Sequence, residues 1–113
     1  MDDCIFCQIT AGKFGTEMMY EDDCLAVFKD LHPQARIHWL IVPKKHYKDI
    51  VALSQDTEGQ QIFAHLLNVL PKIAALAGID TTGFRLVNNC GSDAGQTVGH
   101  VHFHLLGGEV LPF

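Results

Sequence analysis

Hydrophobic and polar positions along the chain predict an α+β fold. Residues Ile37 to Val42 form an unbroken run of β-formers closed by Pro43, which reads as a central strand. Before it, Glu17 to Glu21 and Cys24 to Lys29 read as a hairpin with Glu21-Asp22-Asp23 at the turn. From about Ser54, a candidate N-cap, the apolar residues Ile62, Leu66, Val69, Leu70, Ile73 and Ala77 keep helical spacing up to Gly78. One long helix is expected there, kinked or split at Pro71, where the ring removes a backbone donor. Gly83 to Asn88 is a fourth strand. His100 to Leu106 alternates imidazole with apolar side chains and reads as a fifth, placing His100, His102 and His104 on one face and Val101, Phe103 and Leu105 in the core. At the start, Cys4 to Ile9 forms a short helix burying Ile5, Phe6 and Ile9, which Gly12 and Gly15 then end. Strands in succession with one long helix inserted, rather than regular βα alternation, give a mainly antiparallel sheet.

Composition narrows the class. Residues 1–113 hold one core and read as a single domain. A hydrophobic content of 48% with 19% charged residues is globular, and no stretch is long and apolar enough for a membrane span. The acidic start, Met1-Asp2-Asp3, argues against a secretory signal, so a cytoplasmic location is expected. At a net charge of −5, the only basic cluster is Lys44-Lys45-His46-Tyr47-Lys48, which gives no footprint for long nucleic acid. A mononucleotide needs only a local site. The cysteines at 4, 7, 24 and 90 favour free thiols or metal ligands over disulfides. Cys4-Ile5-Phe6-Cys7 has no strand before it, unlike a thioredoxin-type motif, and offers half of a tetrahedral zinc site.

The imidazole face is the chemical feature of the chain. By spacing alone it reads as a polar sheet surface, as a His-x-His metal pair, or as a catalytic surface. Upstream, Asn88 to Gly99 contains three glycines among short hydrogen-bonding side chains, a composition suited to wrapping an anion. Gly95-Gln96-Thr97 followed by His100-x-His102-x-His104 resembles the signature of the histidine triad nucleotide-binding family. Asp30-Leu31-His32-Pro33-Gln34-Ala35 with Ile37 to His46 resembles its second block, and Leu105-Leu106-Gly107-Gly108 is similar to the Hint branch.

This resemblance implies a five-stranded domain, a homodimer with its two sheets joined, and a purine nucleotide substrate. It implies that His102 is the nucleophile that forms a covalent nucleotidyl intermediate. His104 would donate to the phosphate, supported by His38 and His100. Asn89, Gly95, Gln96 and Thr97 would contact phosphate and leaving group, and Asp30 would accept the ribose hydroxyls. Phe6, Ile9, Phe28 and Leu31 would wall the base slot, although the same residues read equally as core. The resemblance also implies a structural zinc on Cys4, Cys7, His46 and His100, with no catalytic cofactor. The expected activity is hydrolysis of a nucleoside 5′-phosphoramidate to monophosphate and amine. Alternatives are a dinucleoside polyphosphate hydrolase, a nucleotidyl transferase or a non-catalytic nucleotide-binding regulatory module. The tail after Gly108 is short, which puts tail-dependent selectivity in doubt, and His32, His65, Cys24 and Cys90 have no assigned role.

Overall fold

The computed structural model describes residues 3–113. Its elements run α1 (Ile5–Thr10), β1 (Tyr20–Glu21), β2 (Leu25–Lys29), β3 (Ile37–Pro43), α2 (Ile50–Ser54), α3 (Thr57–Leu76), β4 (Phe84–Val87) and β5 (Phe103–Gly107). The five strands form one sheet in the order β1-β2-β3-β5-β4, antiparallel at every pairing. Among the described residues, no helix is long and apolar enough to cross a membrane.

Alternation along the strands divides the interior into two cores. Leu25, Val27, Trp39, Ile41, Phe103 and Leu105 pack with Leu53, Ile62, Leu66 and Ile73 from α2 and α3. On the opposite face, Phe28, Leu40 and Val42 pack beneath Phe6 of α1. Burying these side chains supplies roughly 1.5–3 kcal/mol each against the entropy of ordering them. The second face is only partly roofed, and the histidines share it.

The helical region differs from the periodicity forecast. Ser54 does not cap the long helix but ends a separate short one, because the Asp49 side chain captures the Ala52 N–H at 2.8 Å and starts α2 first. The long helix begins after Asp56, whose carboxylate instead accepts the Tyr47 hydroxyl at 2.6 Å. Gly59 makes the close α2–α3 approach feasible, since a Cβ there would lie 2.0 Å from the Leu53 carbonyl oxygen. Pro71 does not split α3, which stays helical throughout Thr57–Leu76. One missing N–H is outweighed by the packing of Leu66, Ile73 and Ala74 on either side.

Strand boundaries also move. β1 is two residues long, although Met19 N–H still donates to the Val27 carbonyl at 2.7 Å. The ladder of β5 begins at Phe103, so His100 and His102 precede it, even though their inward alternation is as expected. Val101 N–H donates to Tyr47 there, beyond the end of β3. In α1 only Phe6 is buried, while Ile5 is 42% exposed.

Candidate active site

His102 is 7% exposed and locked through both ends of its residue. Its Nδ1–H donates to the His100 carbonyl at 2.8 Å, and its own carbonyl accepts Asn88 Nδ2–H at 2.9 Å. A carbonyl only accepts, so Nδ1 carries the proton and Nε2 of the neutral ring keeps its lone pair. Phe6 packs edge-on against this ring with centroids 5.0 Å apart. The nitrogen suited to attack is thus fixed by backbone and packing together.

Next to it lies a pair of imidazoles whose tautomers are likewise determined. Gln34 N–H donates to His38 Nδ1 at 3.0 Å, so the neutral His38 ring carries its proton on Nε2. His38 Nε2–H then donates to His104 Nδ1 at 2.8 Å, leaving His104 with an Nε2–H donor. The Asp30 carboxylate lies 3.4 Å from the same His38 nitrogen. Burial pushes His38 and His104 below the ordinary imidazole range; the neighbouring histidines push His104 the same way, while Asp30 opposes the shift in both. The pair therefore favours neutrality at pH 7.

The loop before the triad is held by one side chain. Gln96 Oε1 accepts Gly91 N–H at 2.9 Å, while Nε2 donates to the carbonyls of Lys48 at 2.8 Å and Val98 at 3.0 Å. Gln96 therefore shapes the loop, and its amide is occupied in that task. Gly95 ends a short 3₁₀ turn at φ +80°, a left-handed conformation that favours glycine.

Two cavities meet at Asp30, His32 and Thr97. One, of about 370 Å³, is lined by His38, His102, His104, Asn89, Gly95 and Gln96 among others. The other, of about 360 Å³, is walled by Phe6, Ile9, Phe28, Leu31 and Leu40. Phe6 and Phe28 are core residues and cavity wall at once, because α1 covers only part of the sheet face. Leu31 is 90% exposed and stands at the rim. Asp30 is held at the junction by His32 N–H, which donates to Oδ1 at 2.7 Å.

The cysteine pair lies on the same face, where α1 meets His100. Cys4 Sγ is 3.3 Å and Cys7 Sγ 3.5 Å from His100 Nδ1, and His46 Nδ1 stands 3.4 Å from Cys7 Sγ and 3.2 Å from His100 Nδ1. His100 Nε2–H donates to the Pro43 carbonyl at 2.7 Å, which turns the Nδ1 lone pair toward the thiols. Four ligands about 2.0–2.3 Å from one ion are separated by about 3.3–3.8 Å in a tetrahedron, so these four atoms fit a zinc-sized ion. Burial, with the Cys4 thiol beside it, pushes the Cys7 thiol up to about 11; a bound cation would reverse that preference.

The sequence-predicted residues thus assemble as two linked groups, with His100 common to both. Sequence reasoning missed Gln34 and Pro43, which act through backbone atoms and leave no side-chain signal. It also missed the Asn88 side chain, which was only part of a polar loop. His65, without a role in sequence, donates to Asp22 at 2.6 Å far from the triad.

Comparison with known proteins accords with this arrangement. The HIT domain profile matches residues 12–110. Protein HitA of Neisseria gonorrhoeae is 36% identical over 97% of this chain and 100% of its own length. A histidine triad protein structure from Clostridium difficile is similar at 46% identity and a TM-score of 0.92, covering 100% of this chain and 96% of that one. A HIT family hydrolase from Legionella pneumophila matches with 37% identity and a TM-score of 0.90, covering 98% of this chain and 97% of its own. With the family profile matching residues 12–110 and these relatives and structures similar over nearly the whole length, the chain belongs to the histidine triad (HIT) family.

Proposed function

We propose that the protein is a nucleotide hydrolase that cleaves nucleoside 5′-phosphoramidates. The observation that carries this reading is the His102 ring, pinned through Nδ1–H to the His100 carbonyl so that Nε2 is its free nucleophilic atom, beside a cavity that adjoins an apolar slot. In the first step His102 Nε2 bonds to the α-phosphorus and the phosphorus–nitrogen bond breaks, the amine taking up a proton as it leaves. In the second, water attacks the nucleotidyl-histidine and frees the monophosphate, restoring the ring. His104 Nε2–H and the N–H groups of the Gly95 loop donate to the phosphoryl oxygens as charge builds on them. The Asp30 carboxylate accepts the ribose hydroxyls, and Phe6, Ile9, Phe28 and Leu31 hold a purine.

Charge around the cavity favours a phosphoramidate over a polyphosphate. No lysine or arginine lines the triad cavity among the described residues. Lys44 pairs with Glu21 at 2.9 Å and Lys45 with Glu58 at 2.7 Å, so these two lysines are already engaged. A long polyphosphate calls for cations that these residues do not provide. Cys4, Cys7, His46 and His100 hold a structural zinc, whose four protein ligands leave no position for catalytic water. Two copies join their sheets into a homodimer, for which β4, bonded only to β5 within the chain, offers a free edge.

Steady-state assays test the assignment. Adenosine 5′-phosphoramidate should be hydrolysed with a higher kcat/KM than diadenosine tri- or tetraphosphate, without a requirement for Mg²⁺. Faster cleavage of the polyphosphates would replace the reading with a polyphosphate hydrolase. Tight monophosphate binding without turnover of either substrate would leave a binding module.

A further inference from the structure

Asp30 carries more contacts than ribose binding requires. Oδ1 accepts the His32 N–H, while Oδ2 faces His38 Nε2 at 3.4 Å. That nitrogen is the one that stands 2.8 Å from His104 Nδ1, and the Gln34 N–H on the far side of the ring keeps the His38 proton there. Carboxylate, His38 and His104 lie with their polar atoms within 4.8 Å of one another. His38 is 5% exposed, so no competing solvent shell surrounds the contact.

We propose that Asp30 is a positioning residue for His104, acting through His38, in addition to its contact with the ribose. The carboxylate charge, 3.4 Å from His38 Nε2, favours the proton on that nitrogen, and the hydrogen it carries to His104 Nδ1 fixes His104 in the tautomer that presents Nε2–H to the phosphate. The charged groups facing His104 are few: His102 from its own segment, His38 from β3, and Asp30 from the loop after β2. Asp30 is the only anion among them, and it offsets the burial that depresses both imidazoles. Recognition of the sugar and alignment of the phosphate donor are thereby joined in one side chain. The ribose and phosphate parts of this inference rest on the nucleotide reading above; the His38–His104 hydrogen bond, with the Asp30 carboxylate beside it, is present in the unliganded chain.

Asp30→Asn separates the two roles. The amide oxygen still accepts the His32 N–H, so the turn is retained, whereas the amide NH₂ meets the His38 Nε2–H donor to donor. Wild type and variant are assayed on adenosine 5′-phosphoramidate and on its 2′,3′-dideoxy analogue, which has no hydroxyl for Asp30 to bind. The relay requires kcat to fall about tenfold or more on both substrates. A purely ribose-binding aspartate would raise KM for the ribo substrate alone and leave the dideoxy rates equal, which overturns the proposal. Imidazole ¹⁵N spectra of the free protein supply a readout independent of turnover. Wild-type His104 should show an unprotonated Nδ1 and a protonated Nε2, and Asp30→Asn should give a mixture of tautomers. An unchanged His104 spectrum in the variant overturns the relay. If wild type turns over neither compound, the phosphoramidase reading fails while these spectra still decide the relay.

Discussion

Asp22 ties the β1–β2 turn to α3, and its ionisation provides a measurable share of stability. Its Oδ1 accepts the N–H groups of Cys24 and Leu25, both at 2.8 Å, and its Oδ2 accepts the Tyr20 hydroxyl and His65 Nε2–H, both at 2.6 Å. Burial opposes the charge, but these four donors outweigh it and hold the carboxyl at about 2 against an ordinary 3.8. At ~1.36 kcal/mol per pH unit, that gap amounts to about 2 kcal/mol of folding free energy. The side chain is only 23% exposed, so solvent screens little of this. A depressed carboxyl stabilises the fold above its unfolded value, and the contribution fades as pH falls from about 4 through about 2. Asp22→Asn keeps an oxygen for the turn but directs NH₂ toward Tyr20 and His65. In urea unfolding followed by Trp39 fluorescence, the variant should be less stable by about 2 kcal/mol at pH 7, with the difference closing below pH 4. A difference that stays constant from pH 7 to pH 2, or that is under about 0.5 kcal/mol at pH 7, refutes the argument.

Two further predictions concern the site. His102→Ala should lose turnover by at least about a thousandfold while keeping nucleoside monophosphate affinity within about tenfold, and acid-quenched wild type should carry a nucleotide on protein; comparable turnover by the variant removes the nucleophile assignment. Protein purified without chelator should contain about one zinc per chain by metal analysis, and Cys4→Ser with Cys7→Ser should lose both the metal and part of its urea resistance; a metal-free wild type of equal stability would leave the cysteines as packing only.

Sheet and triad were legible because period-two alternation and a buried face leave few registers to choose from. Ile37 to Pro43 could only be central, and the residues of the imidazole run face inward by turns as their spacing requires. The helices were less legible for a physical reason. Asp49 and Asp56 are both competent caps seven residues apart, and hydrophobic periodicity does not reveal which one starts the long helix. The break allowed for at Pro71 does not occur for a similar reason, since its local cost is visible in sequence and the packing of Ile73 and Leu66 is not. At the site, the residues acting through side chains were named with the exception of Asn88, and those acting through backbone were missed. The Gln34 N–H and the carbonyls of Pro43 and His100 decide three imidazole tautomers, yet any residue type supplies an equivalent N–H or carbonyl, proline's missing N–H aside.

His100 shows how little freedom the His102 ring has. The residue is fully buried, its Nε2–H is committed to the Pro43 carbonyl, and its Nδ1 lies among two thiols and His46. Its carbonyl, two bonds along the backbone from the Cα that bears this ring, accepts the proton that sets the His102 tautomer. A shift of the ring within the cysteine cluster therefore moves the peptide that holds the His102 ring, because the ladder of β5 begins only at Phe103 and no strand pairing holds the His100 backbone. The segment is anchored by the Val101 N–H to Tyr47, the His100 Nε2–H to Pro43, the Asn88 amide on the His102 carbonyl, the packing of Val101 in the core and the contacts of His100 with the cluster. The grouped side chains of Cys4, Cys7, His46 and His100 thus brace the backbone that orients the His102 ring.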